Sequence, residues 1–178
     1  MGLKEEFLAE ARRFVGKHFN EGELAQCAIF IRHCAKGKLP QTAKPYDNVY
    51  PLSPGYANSL CGPEIGRSLG HGEPGDLVFF TNTYGDYPPG TITHVGIVSG
   101  TNLMIDRSTS STPVRERSIA DTFTPGSVWG FVRPKLWEED THEKIKLFFN
   151  KNGFKLVVGQ DLKKGSYDVE FMESEITI

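Results

Sequence analysis

The chain has 178 residues, 38% hydrophobic and 24% charged, with a formal net charge of -2. That is enough apolar material for one ordinary domain plus an appendage, and too much for a disordered chain. The balanced charge, with no long basic run, argues against nucleic acid as the main partner. No apolar run approaches the ~20 residues of a membrane span. The three cysteines are an odd number for a disulfide framework, and no His/Cys cluster has structural zinc spacing, so neither a metal nor another cofactor is expected.

The opening Met1-Gly2-Leu3-Lys4-Glu5-Glu6-Phe7 is acidic and amphipathic, unlike the basic-then-apolar pattern of a secretory signal. Residues 3 to 19 read as a helix, with Leu3, Phe7, Leu8, Ala11, Phe14 and Val15 at helical spacing. A break at Gly16 to Gly22 precedes a second helix, residues 24 to 36. There Leu24, Cys27, Ile31 and Cys34 share a face, and Ala28, Phe30 and Ala35 widen it. Gly37 and Pro40 end that helix. Residues 40 to 74 are rich in Pro, Gly, Ser and Asn and are expected to form one wall of a cleft, with a short helix between Ala57 and Leu69.

Glu73-Pro74-Gly75-Asp76 is a turn that launches a strand, Leu77 to Phe80. The loop 81–92 carries Tyr84, Asp86 and Tyr87. Strands 93–98 and 102–108 follow, and Val128 to Arg133 forms another, with Trp129 and Phe131 expected on one face. If Ser99-Gly100-Thr101 is a three-residue turn, Val98 faces Asn102 and His94 falls directly opposite Asp106. Opposed side chains lie on one face, ~5 Å apart at Cβ. Gly96 shares that face and leaves room beside His94, while Val95 and Ile97 point into the core.

A thiol attacks an acyl group as the thiolate, so a catalytic cysteine needs surroundings that favour the anion. A helix start and an adjacent imidazolium are two such devices. Cys27 lies near the start of the second helix, and His94 can serve as its partner and as general acid. Asp106 can fix the imidazole tautomer. A lone Cys on an apolar helix is more often core filler, and Cys34 and Cys61 keep that reading. His18, His33, His71 and His142 read as surface or structural groups.

The joint pattern carries more weight than any one residue. Ala25-Gln26-Cys27-Ala28, Gly75 to Phe80, His94 to Gly100 and Met104-Ile105-Asp106-Arg107-Ser108 resemble the NlpC/P60 family of papain-like cysteine peptidases. The resemblance covers about residues 5 to 134. Gln26-Cys27-Ala28 stands where the family usually has Asp-Cys-Ser and is more like the CHAP amidases. Asp106 stands where the family often has histidine. The resemblance implies an α+β fold, N-terminal helices packed on an antiparallel sheet, and hydrolysis of an amide bond in the peptide stem of bacterial peptidoglycan. Cys27 is the implied nucleophile, His94 the proton carrier and Asp106 its orienter. The backbone N–H of Cys27, helped by Gln26, would hold the oxyanion, and Tyr84, Asp86 and Tyr87 would line the cleft.

Glu138-Glu139-Asp140-Thr141-His142 reads as a linker, which divides a catalytic domain, 1–137, from a β-rich appendage, 138–178. In the appendage, Ile145 to Phe149 and Phe154 to Val158 flank Asn150-Lys151-Asn152-Gly153, a hairpin signal. Tyr167 to Phe171 and Ile176 to Ile178 read as further strands. The appendage is expected to bind the wall, self-associate or extend the sheet. A wall hydrolase without a signal resembles a phage lysin or a delivered toxin, made in the cytoplasm and acting on the wall after release. A papain-like acyltransferase or amidase on another substrate, and a β-rich binding protein with an inert thiol, are the alternative readings.

Overall fold

A computed structural model describes residues 2–19, 26–39, 56–109, 111–137, 146–150 and 153–157, the last two stretches for their backbone. The chain divides into two compact units, Met1–Thr141 and His142–Ile178. The first contains helices α1 (Leu3–Phe14) and α2 (Gln26–Cys34), a 3-10 turn (Ala57–Leu60) and six strands. These are β1 (Gly66–Leu69), β2 (Leu77–Thr81), β3 (Ile92–Gly100), β4 (Leu103–Asp106), β5 (Arg115–Ser118) and β6 (Val128–Pro134), in sheet order β1-β6-β2-β3-β4-β5. Every pairing is antiparallel. The α+β class expected from the sequence is the one observed. Among the described residues, no helix is long and apolar enough to cross a membrane.

The central strands β2 and β3 are buried on both faces, so each face carries its own apolar cluster. Leu77, Phe79, Val95, Ile97, Ile105 and Val132 join Phe7, Ala11, Ala28, Phe30 and Ile31 of the helices in the larger one. Val78, Phe80, Val98, Met104 and Ile119 form the smaller one, flanked by Phe123 and Phe131. Alternation along a pleated strand produces this division.

The helix expected over 3–19 stops at Phe14. Val15 turns extended and bridges Val114, while Gly16 adopts φ 81° and donates its N–H to Val114 O at 2.9 Å. Glu5 and Glu6 in the first turn and Arg12 and Arg13 in the last suit the helix dipole. Residues 20–25, including the first two expected in α2, lie outside the described residues. The helix expected within 57–69 is a single 3-10 turn followed by strand β1. Gly66 permits that pairing: a Cβ there would stand 1.8 Å from Arg133 O. Strand β5 has no counterpart in the sequence reading.

Two further expectations are corrected. Trp129 and Phe131 do not share a face: Trp129 meets Phe79 at 6.1 Å on the helical side, and Phe131 packs against the smaller cluster. The cause is a bulge, since Phe79 pairs with Gly130 but Phe80 with Val128, which leaves Trp129 outside the regular ladder. The β3–β4 hairpin is also shifted by two residues. Ile97 pairs with Ile105 and Val98 with Met104, an irregularity takes up Ser99, and Gly100 pairs with Leu103. The turn is Thr101-Asn102, with Asn102 at φ 53°, a conformation asparagine tolerates better than most residues. The Asn102 side chain then accepts from Ala120 N and donates to Ser118 Oγ, both at 3.0 Å.

In the second unit, β7 (Lys146–Asn150) and β8 (Gly153–Val157) pair as the expected hairpin, and Asn150 and Gly153 belong to the ladder. The strands expected at 167–171 and 176–178, and residues 40–55 of the proposed cleft wall, lie outside the described residues.

Candidate active site

A two-residue register shift is even, so it leaves every side chain on its expected face. His94 and Asp106 therefore still meet, diagonally rather than head-on. His94 Nε2 donates to Asp106 Oδ2 at 2.6 Å, with His94 3% and Asp106 1% exposed. Gly96 makes room for this. A Cβ there would lie 2.8 Å from Met104 Sδ and 3.5 Å from Asp106 Cβ. Phe80 and Phe123 confine the imidazole, with ring centroids 5.9 Å and 5.1 Å away.

Cys27 is the second residue of α2 and is buried. Its thiol acts on the His94 imidazole through hydrogen bonding and charge. Because Nε2 is engaged by Asp106, Nδ1 is the nitrogen left to the thiol. Burial by itself disfavours the imidazolium, but the hydrogen bonds and charges of Asp106 and Cys27 outweigh it and push His94 up to about 9. Burial likewise penalises the Asp106 carboxylate, yet hydrogen bonds and charge from His94 and Arg117 bring it down to about 2. The arrangement can hold a proton on the imidazole beside a sulfur nucleophile.

Tyr84 is an exposed aromatic, 47% accessible, on the loop between β2 and β3. Partial burial, then the Coulombic influence of Cys27, Tyr87 and Tyr56, pushes its phenol up to about 12. Tyr84 and Tyr87 meet edge to face at 5.8 Å. Their loop is tied down at its root. Asn82 donates to Tyr87 O and Pro88 O at 3.2 and 3.1 Å and accepts from Gly90 N at 2.9 Å, and the Thr83 amide bonds Thr93 Oγ1 at 2.8 Å. Asp86 is exposed on the same loop. Gln26, beside Cys27 in the chain, is buried.

Several groups at the site escape the sequence reading. Arg117 of β5 forks onto Asp106, with Nε to Oδ1 at 2.9 Å and Nη2 to Oδ2 at 2.6 Å. Ser108 Oγ donates to Asp106 Oδ2 at 3.0 Å. Arg32 of α2 is buried, donates to Ser59 Oγ at 2.6 Å and feels the charge of Cys27. The one sequence signal for Arg117 is period two, which places Arg115 and Arg117 on one face of a strand.

No protein-family model matches the chain, and no curated protein matches it. Solved structures do. The NlpC/p60 domain of the peptidoglycan hydrolase SagA aligns at TM-score 0.48 and 18% identity, over 73% of this chain and 97% of that one. A protein of the NLP/P60 family from Staphylococcus aureus, described as similar to lipoprotein, aligns at 0.47 and 19%, over 74% of this chain and 41% of that one. The peptidoglycan hydrolase RipB from Mycobacterium tuberculosis aligns at 0.47 and 17%, over 74% of this chain and 64% of that one. The chain is thus similar to NlpC/P60 structures, the family its motifs resemble, and spans under two thirds of the length of the latter two.

Proposed function

We propose that this chain is a cysteine hydrolase that cuts an amide bond in the peptide stem of peptidoglycan. One observation carries the chemical half of the reading: an imidazole with a buried carboxylate on Nε2, on which the Cys27 thiol also acts. The substrate half is supported by the sequence motifs that resemble NlpC/P60 peptidases.

Cys27 passes its proton to His94 Nδ1, and the sulfur attacks the carbonyl carbon of the scissile amide. The tetrahedral oxyanion is held by the Cys27 backbone N–H, since amides of a helix's first turn lack intrahelical partners. Gln26 is placed beside it in the chain. His94 then gives the proton to the leaving amine, the C–N bond breaks, and a thioester remains. Water, giving its proton to His94, attacks the thioester and releases the acid and the thiol. Asp106 accepts from Nε2 throughout, which fixes the ring's tautomer and angle. Tyr84, Tyr87 and Asp86 form the substrate wall on their tied loop. The unit 142–178 holds the enzyme to the wall or to a second copy, and the enzyme reaches the wall after release from a cell, as a phage lysin or a delivered toxin.

Digestion of purified peptidoglycan by the wild type and Cys27→Ala, with mass analysis of the fragments, tests this. New amine and carboxyl termini in stem peptides, absent with Cys27→Ala, are expected. Intact stems with both proteins would overturn the wall-hydrolase reading.

A further inference from the structure

We propose, building on the reading above, that Arg117 is a positioning residue that shares the charge of Asp106 and so keeps His94 able to release its proton. Asp106 carries one negative charge and faces two cationic partners. Arg117 takes both oxygens, at 2.9 and 2.6 Å, and His94 takes Oδ2 at 2.6 Å. The fork locks the carboxylate plane so that Oδ2 points at Nε2, as bidentate guanidinium pairs do.

The guanidinium is itself held in place. It lies 5.0 Å over the Phe123 ring, which also borders His94, and its Nη2 donates to Ser108 Oγ at 2.7 Å. An arginine serving only to neutralise a buried acid would not need to share that acid with the imidazole. An imidazolium facing an unshared buried carboxylate would bind its proton too tightly. General acids work best when their proton affinity lies near the operating pH, and the reaction needs His94 both to take a proton and to give it back.

The other charged or titratable neighbours are few among the described residues. From α2 come Cys27 and Arg32, which feels the charge of Cys27; from the 82–91 loop comes Tyr84, which feels it too. Arg115 pairs with Asp106 in the ladder but is exposed. Arg107, next in the chain, turns away to the carbonyls of Phe19 and Thr112. Phe80 and Phe123 are apolar. Arg117 is therefore the cation that forks onto Asp106 beside the imidazole.

The test is an NMR titration of His94 in histidine-labelled full chain, its signal assigned by loss in His94→Gln, together with the pH profile of peptidoglycan hydrolysis. Arg117→Gln should raise the His94 midpoint by about one pH unit, since Asp106 then acts on the ring alone. The basic limb of hydrolysis should move up with it. An unmoved midpoint overturns the proposal while leaving the hydrolase reading intact. Should Arg117→Gln fail to fold, Arg117→Lys decides. It keeps the charge and loses the fork, so the midpoint should hold while the plateau rate falls about tenfold through misplacement of the ring. A plateau equal to the wild type overturns the proposal. A wild type that cuts no wall sinks the hydrolase reading instead, and the titration still decides the role of Arg117.

Discussion

Two buried aspartates in this molecule are gripped by the same device and used differently. Arg133 forks onto Asp76 at 3.0 and 2.9 Å, and Arg117 forks onto Asp106 at 2.9 and 2.6 Å. In each case the arginine comes from a neighbouring part of the sheet and the carboxylate is almost wholly buried. They differ in the next donor. At Asp76 it is the backbone N–H of Glu73, at 2.8 Å, so the carboxylate fastens the turn that launches β2. The Gly75 and Asp76 backbone then pairs with Val98, and Trp137 Nε1 donates to Gly75 O at 3.0 Å. At Asp106 the next donor is an imidazole, a group that can change its protonation. The same charge-assisted geometry thus fixes a fold at one site and aims a proton carrier at the other.

Substitutions can break this comparison. The largest effect should come from Cys27→Ala, with hydrolysis falling by on the order of 10^6-fold, as when other covalent nucleophiles are removed. Thermal unfolding should change little. His94→Ala should come close to it in rate. Asp106→Asn keeps the shape and removes the charge, so activity should fall about 10^2–10^4-fold while the fold persists. Arg133→Ala should do the reverse. It leaves the Asp76 charge buried and unpaired, at a cost of about 3–5 kcal/mol in denaturant unfolding, with activity per folded molecule preserved. If Arg133→Ala and Asp106→Asn gave the same balance of stability and activity losses, the two forks would not be functionally distinct.

A pH series sharpens the contrast. His94 is raised from 6.5 to about 9, so the stability from its imidazolium is fully present below about 6.5 and lost as pH rises through about 9. Asp106 is lowered from 3.8 to about 2, so its contribution is present above about 3.8 and lost as pH falls through about 2. Melting temperature should therefore decline between pH 6.5 and 9 in the wild type, and this decline should shrink in His94→Ala. A wild-type curve flat across that window would count against the pair. The smallest effect should come from Gly96→Ala. Its new methyl meets Met104 Sδ at 2.8 Å, and because methionine adapts, the loss should sit at the low end of about 1–3 kcal/mol, read by thermal or denaturant unfolding.

The sequence makes the centre of the sheet legible and hides its edges. The runs Leu77–Phe80 and Thr93–Val98 are apolar enough to identify, and their buried partners follow from alternation. Strands β1 and β5, Gly66–Leu69 and Arg115–Ser118, are short, largely exposed edge strands with no apolar alternation to mark them. Missing β5 meant missing Arg117, because a residue that acts across a strand pair is invisible until the pair is known. The hairpin register lies two positions from the expected one because the turn is Thr101-Asn102, with Asn102 left-handed, and not the three-residue Ser99-Gly100-Thr101. Its consequence for the site was small, since only an odd slip would have sent Asp106 to the other face. The Trp129 bulge left no signal that spacing could reveal.

The most direct test of the thiol–imidazole pair is the rate of Cys27 alkylation by iodoacetamide, followed against pH in wild type and His94→Ala, with peptide mapping to separate Cys27 from Cys34 and Cys61. Rapid labelling of Cys27 near neutral pH, lost in His94→Ala, is the result expected of a nucleophile served by that histidine. Slow labelling in both proteins, rising only at the alkaline pH of an ordinary thiol, would contradict it.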